Sequence, residues 1–269
     1  MIKVAHESPL AIMPWMRNLT DYDYALVHLF PENQEYYNFF HVSLRMGRKV
    51  VLDNSLFELG SAFNSEEYVS WINSLAPQEY IIPDALGKTD LTIALTSKFL
   101  ETYVDKLQIN PLCMGIGVVQ GSTLEDMVRC YRFMDERVQK IAFAFISDAY
   151  LNAFPHPNKF VSMSMGRVLV LSQMLKAGII NTAKRHHLLG CMHPREFSFY
   201  TGREFEWIDT IDTSSPVVHG LKGIDYSDSM GTWVKESTKL VDLLHSKPTN
   251  EQLVSILNNV TRFRNYITP

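Results

Sequence analysis

Eight short apolar, β-branched runs recur along the chain, each closing on polar or turn residues. They are Ile2 to His6, Tyr24 to Phe30, Lys49 to Asn54, Tyr80 to Ala85, Met114 to Gly121, Lys140 to Phe145, His186 to Cys191 and Trp207 to Thr213. Near-continuous apolar runs of this length suit strands buried on both faces of a parallel sheet. Between most of them the apolar positions take helical spacing. Asn33 to Met46 reads as a helix, and Asn64 caps another whose first turn is acidic and which reaches about Leu75. Thr89 to Leu107 follows. Ser122 and Glu125 have capping-box spacing at the head of the next helix. A helix over Met165 to Ala177 stops at Gly178, and Pro194 suits the first turn of a further one. Thr232 to Leu244 and Asn250 to Phe263 close the chain. The link between the first two runs is short for a full helix.

Strands alternating with helices predict an α/β fold, a compact (β/α)8 TIM barrel, with a doubly wound open sheet as the runner-up. A barrel of this kind takes about 250 residues, so the 269 residues are read as one catalytic domain, 1–269. Hydrophobic residues make up 46% and charged residues 20%, a globular composition that excludes a disordered scaffold. Lys and Arg number 25 against 29 Asp and Glu, for a net charge of −4. That argues against a broadly basic nucleic-acid binder and leaves local patches as the alternative. Lys184-Arg185, Arg195, Arg203, Lys222 and the Arg262/Arg264 pair are the candidates; the ordinary role of each is a solvated surface charge. Cys113, Cys130 and Cys191 are too few for a disulfide framework or a four-cysteine zinc site, which fits a reducing, cytoplasmic setting. No apolar run is long enough to span a membrane.

The polar residues at the strand ends carry the candidate chemistry, because a barrel's active site sits there. The third run ends in Asp53-Asn54, the fourth in Asp84, the fifth in Gln120-Gly121 and the seventh in Gly190; the eighth carries Asp209 and Asp212. Any one of these aspartates alone would more often cap a helix or hold a turn. Their joint occurrence at one barrel mouth is what points to acid/base and nucleophilic carboxylate chemistry. Asp209 and Asp212 lie three apart, so at most one faces the mouth from the strand. His186-His187 are adjacent and face opposite sides, a poor metal pair. His6 and His28 fall near the mouth. No glycine-rich phosphate loop is present.

VLDNSLFELGS (Val51 to Ser61), YIIPDALG (Tyr80 to Gly87), VVQGSTLEDM (Val118 to Met127), HHLLGCMHPREF (His186 to Phe197) and WIDTIDTSSP (Trp207 to Pro216) occur in this order. In these segments the chain resembles the tRNA-guanine transglycosylase superfamily, (β/α)8 barrels that include phage and bacterial relatives placing 7-deazaguanines in DNA. The resemblance implies exchange of guanine for a 7-deazaguanine (preQ0- or preQ1-like) on an intact strand. It makes Asp212 the nucleophile on the sugar C1′ and Asp53 the general acid/base. Asp84 would bind the guanine-like edge, with Asn54, Gln120 and Gly121 beside it. Phe57 would stack on the base, Leu189 and Gly190 would close the other face, and Ala142 to Ala144 would offer backbone contacts. No cofactor is implied.

The chain also departs from the family. No cysteine follows Cys191, so the zinc subdomain of the bacterial tRNA enzymes is missing. Ala85-Leu86 follow Asp84 without the cysteine seen in many relatives. Pro216-Val217-Val218 replace Pro-Thr-Arg, and Asn54-Ser55-Leu56 replace Ser-Gly-Gly. These departures favour DNA over tRNA as the partner and leave room for a homodimer or a partner protein. The competing expectations are a tRNA enzyme, a nucleosidase-like barrel that lets water accept the sugar, and a non-catalytic nucleic-acid-binding barrel.

Overall fold

The computed structural model describes residues 1–108, 113–226 and 238–268. Within them eight parallel strands form one sheet in the order β1-β8-β7-β6-β5-β4-β3-β2. They are β1 (Lys3–His6), β2 (Asp23–Leu26), β3 (Val50–Asp53), β4 (Glu79–Ile81), β5 (Met114–Val119), β6 (Lys140–Phe143), β7 (Arg185–Leu188) and β8 (Ile208–Thr213). Sequential neighbours throughout, with β1 beside β8, define a nearly closed (β/α)8 barrel. A doubly wound sheet would reverse its strand order partway, and this one does not.

The remaining seam lies between β1 and β2, and side chains bridge it. Asp21 donates its N–H to the Val4 carbonyl at 2.8 Å, and its carboxylate accepts from the Val4 N–H at 2.8 Å. The Thr20 hydroxyl accepts from the His6 N–H at 3.0 Å. Short polar residues just before β2 thus satisfy the backbone groups that a strand ladder would otherwise use.

The helices are α1 (Met13–Met16), α2 (Gln34–Arg45), α3 (Leu56–Leu59), α4 (Ser65–Leu75), α5 (Thr89–Thr102), α6 (Leu124–Arg137), α7 (Asp148–Ala153), α8 (Lys159–Lys176), α9 (Ser215–Leu221) and α10 (Asn250–Ile267), of which α3 and α9 border the barrel mouth. The short link between the first two strands holds only a 3-10 turn, Leu10–Ile12, and the single turn of α1. Between β7 and β8 the chain forms a 3-10 helix, Pro194–Tyr200, with Pro194 in its first turn.

Several boundaries differ from the sequence pattern for local reasons. The cap of α6 is Thr123, one residue later than Ser122: its hydroxyl accepts from the Asp126 N–H at 3.1 Å. Helix α8 begins six residues before Met165, because the Asn158 side chain accepts from the N–H groups of Phe160 and Val161. The helix expected to run to Leu107 ends at Thr102, and a 3-10 turn, Val104–Lys106, takes over. The second expected strand gives way after Leu26 to a 3-10 turn, Val27–Leu29. The helix expected over Thr232 to Leu244 starts outside the described residues; its described part holds only a 3-10 turn, Leu240–Leu243. Helices α3, α7 and α9 had no clear sequence signal.

Barrel-wall residues such as Val51, Leu52, Ile116, Val118, Ala142 and Ile211 are fully buried. The amino end of the barrel is polar. Lys140, fully buried at the start of β6, donates to Glu79 at 2.9 Å, Asp209 at 3.2 Å and the Thr210 hydroxyl at 2.9 Å. Lys49 donates to the other Glu79 oxygen at 2.6 Å. Asp209 therefore belongs to this ionic plug at the bottom, and Asp212 alone of the two reaches the mouth, as their spacing requires. Among the described residues no helix is long and apolar enough to cross a membrane.

Candidate active site

The carboxyl ends of the strands open into a cavity of about 320 Å³. Asp53, Asp84, Asp212, Gln120, Asn54, Phe57, Leu189 and Gly190 all line it. Three aspartates from β3, the segment after β4, and β8 thus share one volume, within the range of small-molecule sites.

Asp84 is buried, and both its oxygens are engaged: Asn54 Nδ2 donates to one at 2.8 Å and Gln120 Nε2 to the other at 2.8 Å. Asn54 also donates to the Ile82 carbonyl at 3.1 Å. The Gln120 carbonyl oxygen is oriented by the Gly87 N–H at 2.9 Å. Burial raises the Asp84 pKa to about 6, and the two amide hydrogen bonds work against that rise. A carboxylate ringed by amides with spare lone pairs is suited to accept N–H groups from a planar base edge.

Asp53 sits in a different environment. Tyr24 donates its phenol to one oxygen at 3.1 Å, and the Ser55 N–H donates to the other at 3.0 Å. Burial raises its pKa well above the usual carboxylate range, and the negative charges of Glu58, Asp212 and Asp84 raise it further. Asp53 therefore holds a proton where an ordinary aspartate has lost it. The loop behind it is strained: Ser55 takes the left-handed region at φ 59°, where a side chain is disfavoured. Ser55 is itself buried.

Among the described residues, Asp212 is gripped through Oδ1. His187 Nε2 lies 2.9 Å from Oδ1, and the Gly190 N–H donates to the same atom at 3.2 Å. His187 is fully buried and stacks on Tyr24, with ring centroids 5.9 Å apart and planes at 11°. Tyr24 and His187 thus join the Asp53 and Asp212 sides of the site. Burial lowers the His187 pKa, so the ring is held neutral, although Asp212 acts in the opposite direction. Its neighbour His186 faces outward against Tyr131 and Trp207, as adjacent strand residues must.

The loop after β7 is fixed from beneath. Arg167 of α8 donates to the carbonyls of Leu189 at 2.9 Å and Gly190 at 3.1 Å. Its guanidinium is paired with buried Glu196, at 2.6 and 3.1 Å. Gly190 has φ 60°, and a Cβ there would meet the Phe145 ring at 2.8 Å, so only glycine fits. Phe57 is 39% exposed and meets Phe145 edge-on at 5.2 Å; it is a rim residue, outside the core. Lys239 lies 5.3 Å over the Phe57 ring and donates to the Glu58 carbonyl at 3.0 Å.

Not every expected residue reaches the cavity. Gly121 does not line it: its carbonyl accepts from the Ser147 hydroxyl at 2.6 Å, and its Cα packs on the start of α6. Ala142 is barrel wall, whereas Ala144 lines the cavity. His6 and His28 do not line it either. Lys184 and Arg185 lead into β7 at the amino end, and Arg264 binds the Leu19 carbonyl and Asp21 just before β2. These three basic residues therefore point away from the mouth. Tyr24, His187, Arg167, Glu196 and Lys239 escaped sequence reading. The partners that tie them to the site lie 22 or more residues away, so no local pattern marks that role.

Fold and site together define a (β/α)8 barrel whose mouth holds three carboxylates in unequal environments. Against known proteins, no family model matches the chain and no curated protein does. The functional reading accordingly rests on the site and on the sequence resemblance.

Proposed function

We propose that this chain is a base-exchange pentosyltransferase, a guanine/7-deazaguanine transglycosylase acting on DNA. One observation carries the reading: a proton-holding Asp53 and an Asp212 gripped through Oδ1 share a base-sized cavity with the amide-ringed Asp84. Asp212 attacks C1′ of a deoxyguanosine nucleotide. The C1′–N9 bond breaks, its electron pair leaves with the base, and a glycosyl ester forms on Asp212. Asp53 supplies the proton to the departing base and takes one from the incoming 7-deazaguanine. Asp84 accepts from the N1–H and 2-amino groups of the base, with Gln120 beside it. Phe57 and Leu189 offer apolar surface to the two faces of the ring once it leaves its stack. DNA is favoured over tRNA by the departures noted above; Val217 and Val218, at the place of the family's Thr-Arg, are buried core of α9.

The test is incorporation of labelled guanine and of 7-deazaguanines into single-stranded DNA and into tRNA. Exchange into DNA, reduced by about 10³-fold or more in Asp212→Ala, is the expected result. Unimpaired exchange by that variant removes the assignment. Base release without incorporation would instead identify a nucleosidase, and exchange into tRNA alone would select the tRNA reading.

A further inference from the structure

The grip on Asp212 continues down the barrel axis. His187 Nδ1 lies 2.9 Å from the Thr210 hydroxyl, and that oxygen lies 2.9 Å from the Lys140 ammonium in the ionic plug. Thr210 and Asp212 are two apart on β8 and share its inward face. The direction of each bond follows from donor chemistry. An ammonium can only donate, so Thr210 Oγ1 accepts from Lys140. The single hydroxyl hydrogen is then available to Nδ1. A neutral imidazole has one N–H, and because a carboxylate can only accept, that hydrogen sits on Nε2, aimed at Asp212, while Nδ1 accepts from Thr210. Oδ1 receives this hydrogen and that of Gly190, while Oδ2 has neither.

We propose that the Lys140–Thr210–His187 chain fixes the Nε2–H tautomer of His187, and that this positions Asp212 with Oδ2 as the attacking atom. In the step, the C1′–N9 bond breaks and the C1′–Oδ2 bond forms. Oδ1 becomes the ester carbonyl and keeps both donors, which stabilise negative charge there again when Oδ2 leaves in the return step. His187 and Thr210 are positioning residues: they act through Asp212. The groups facing His187 are Asp212 and Thr210 from β8, Lys140 from β6, Glu79 from β4 and the Tyr24 ring from β2. The part concerning Oδ2 rests on Asp212 being the nucleophile; the tautomer does not.

The experiment is two-bond ¹H–¹⁵N correlation NMR at pH 7.5 on the full chain labelled at histidine, with His187 assigned by its loss in His187→Gln. The expected spectrum has His187 protonated on Nε2 alone. Thr210→Val removes the donor to Nδ1 but leaves Lys140 paired with Glu79 and Asp209. It should admit the Nδ1–H form and lower kcat about tenfold, with KM changed less than about twofold. His187→Gln, whose amide can still donate toward Asp212, should keep exchange within about tenfold of the parent; His187→Leu should lose about a hundredfold or more. An Nδ1–H tautomer or an imidazolium in the parent protein overturns the proposal. So does an unchanged tautomer or kcat in Thr210→Val, or equal losses in the Gln and Leu variants. If the parent exchanges no base, the nucleophile reading fails, while the spectrum still decides the chain.

Discussion

Asp53 sits in surroundings that oppose its ionisation and so weigh on stability. Its pKa is raised by burial and by three neighbouring carboxylates. The unfolded chain ionises this group near the ordinary value of 3.8. Above that pH the folded state holds a proton the unfolded state has lost, so the group opposes folding as pH rises. Asp53→Asn should therefore raise the thermal midpoint at pH 7 to 8 while lowering base exchange by about 10³-fold. Scanning calorimetry beside the exchange assay checks both; a lowered midpoint would refute the argument from burial and like charge. Asp53, Asp84 and Asp212 were each legible in the sequence as strand-end carboxylates. Their unequal roles were not, because those depend on Glu58, Tyr24, Asn54, Gln120 and His187 arriving from other segments.

Among the elements, α7 and α8 build the wall under the β6 and β7 loops. Their contact depends on Gly166: a Cβ there would collide with the Tyr150 carbonyl in α7. The Tyr150 phenol in turn holds the Ala144 carbonyl at 3.0 Å, at the cavity wall. Gly166→Ala should thus separate the two helices at a cost of about 1–3 kcal/mol. That is a fall of several degrees in the thermal midpoint for a chain of this size, measurable by circular dichroism. An unchanged midpoint would mean that the pair does not meet as closely as the structure places it. The strands were readable because each is a continuous apolar run. Helix α7 was not, since six residues hold too few turns for a period to register. The extra start of α8 was present in the Asn158 cap, although the apolar spacing drew attention to Met165.

For the whole molecule, buried neutral histidines couple folding to pH. Burial lowers the pKa of His6 to about 3, with Arg264 adding to it, and that of His186 and His193 to about 4. In the unfolded chain each would titrate near 6.5. Below that pH the unfolded state binds protons that the folded state refuses, so the histidine contribution to stability is full above about 6.5 and falls as the pH drops toward 4. The raised carboxyls of Asp53 and Asp84 act in the opposite sense, so the decline below about 6.5 should stand out in Asp53→Asn, where three histidines face only Asp84. His6→Phe should flatten that decline in part, because it removes the histidine whose pKa burial lowers furthest. A midpoint of Asp53→Asn that holds down to pH 5 would contradict this.

Taken by itself, the sequence determined the eight buried strands, their alternation with helices and the side chains at each strand's carboxyl end. These are local properties: a period of two or of 3.6 residues and a cap or turn residue are complete within a dozen positions. Tertiary structure decided the rest. Closure of the barrel set Thr20 and Asp21 into the β1–β2 seam, gathered Lys140, Glu79, Lys49 and Asp209 into one plug, and put Arg167 and Glu196 beneath Gly190. It also turned His187 inward between Thr210 and Asp212. The order β7–β8 alone does not select that contact. It depends on which face of each strand is inward and on the register shift between His186 and His187, and both are fixed only when all eight strands share one core.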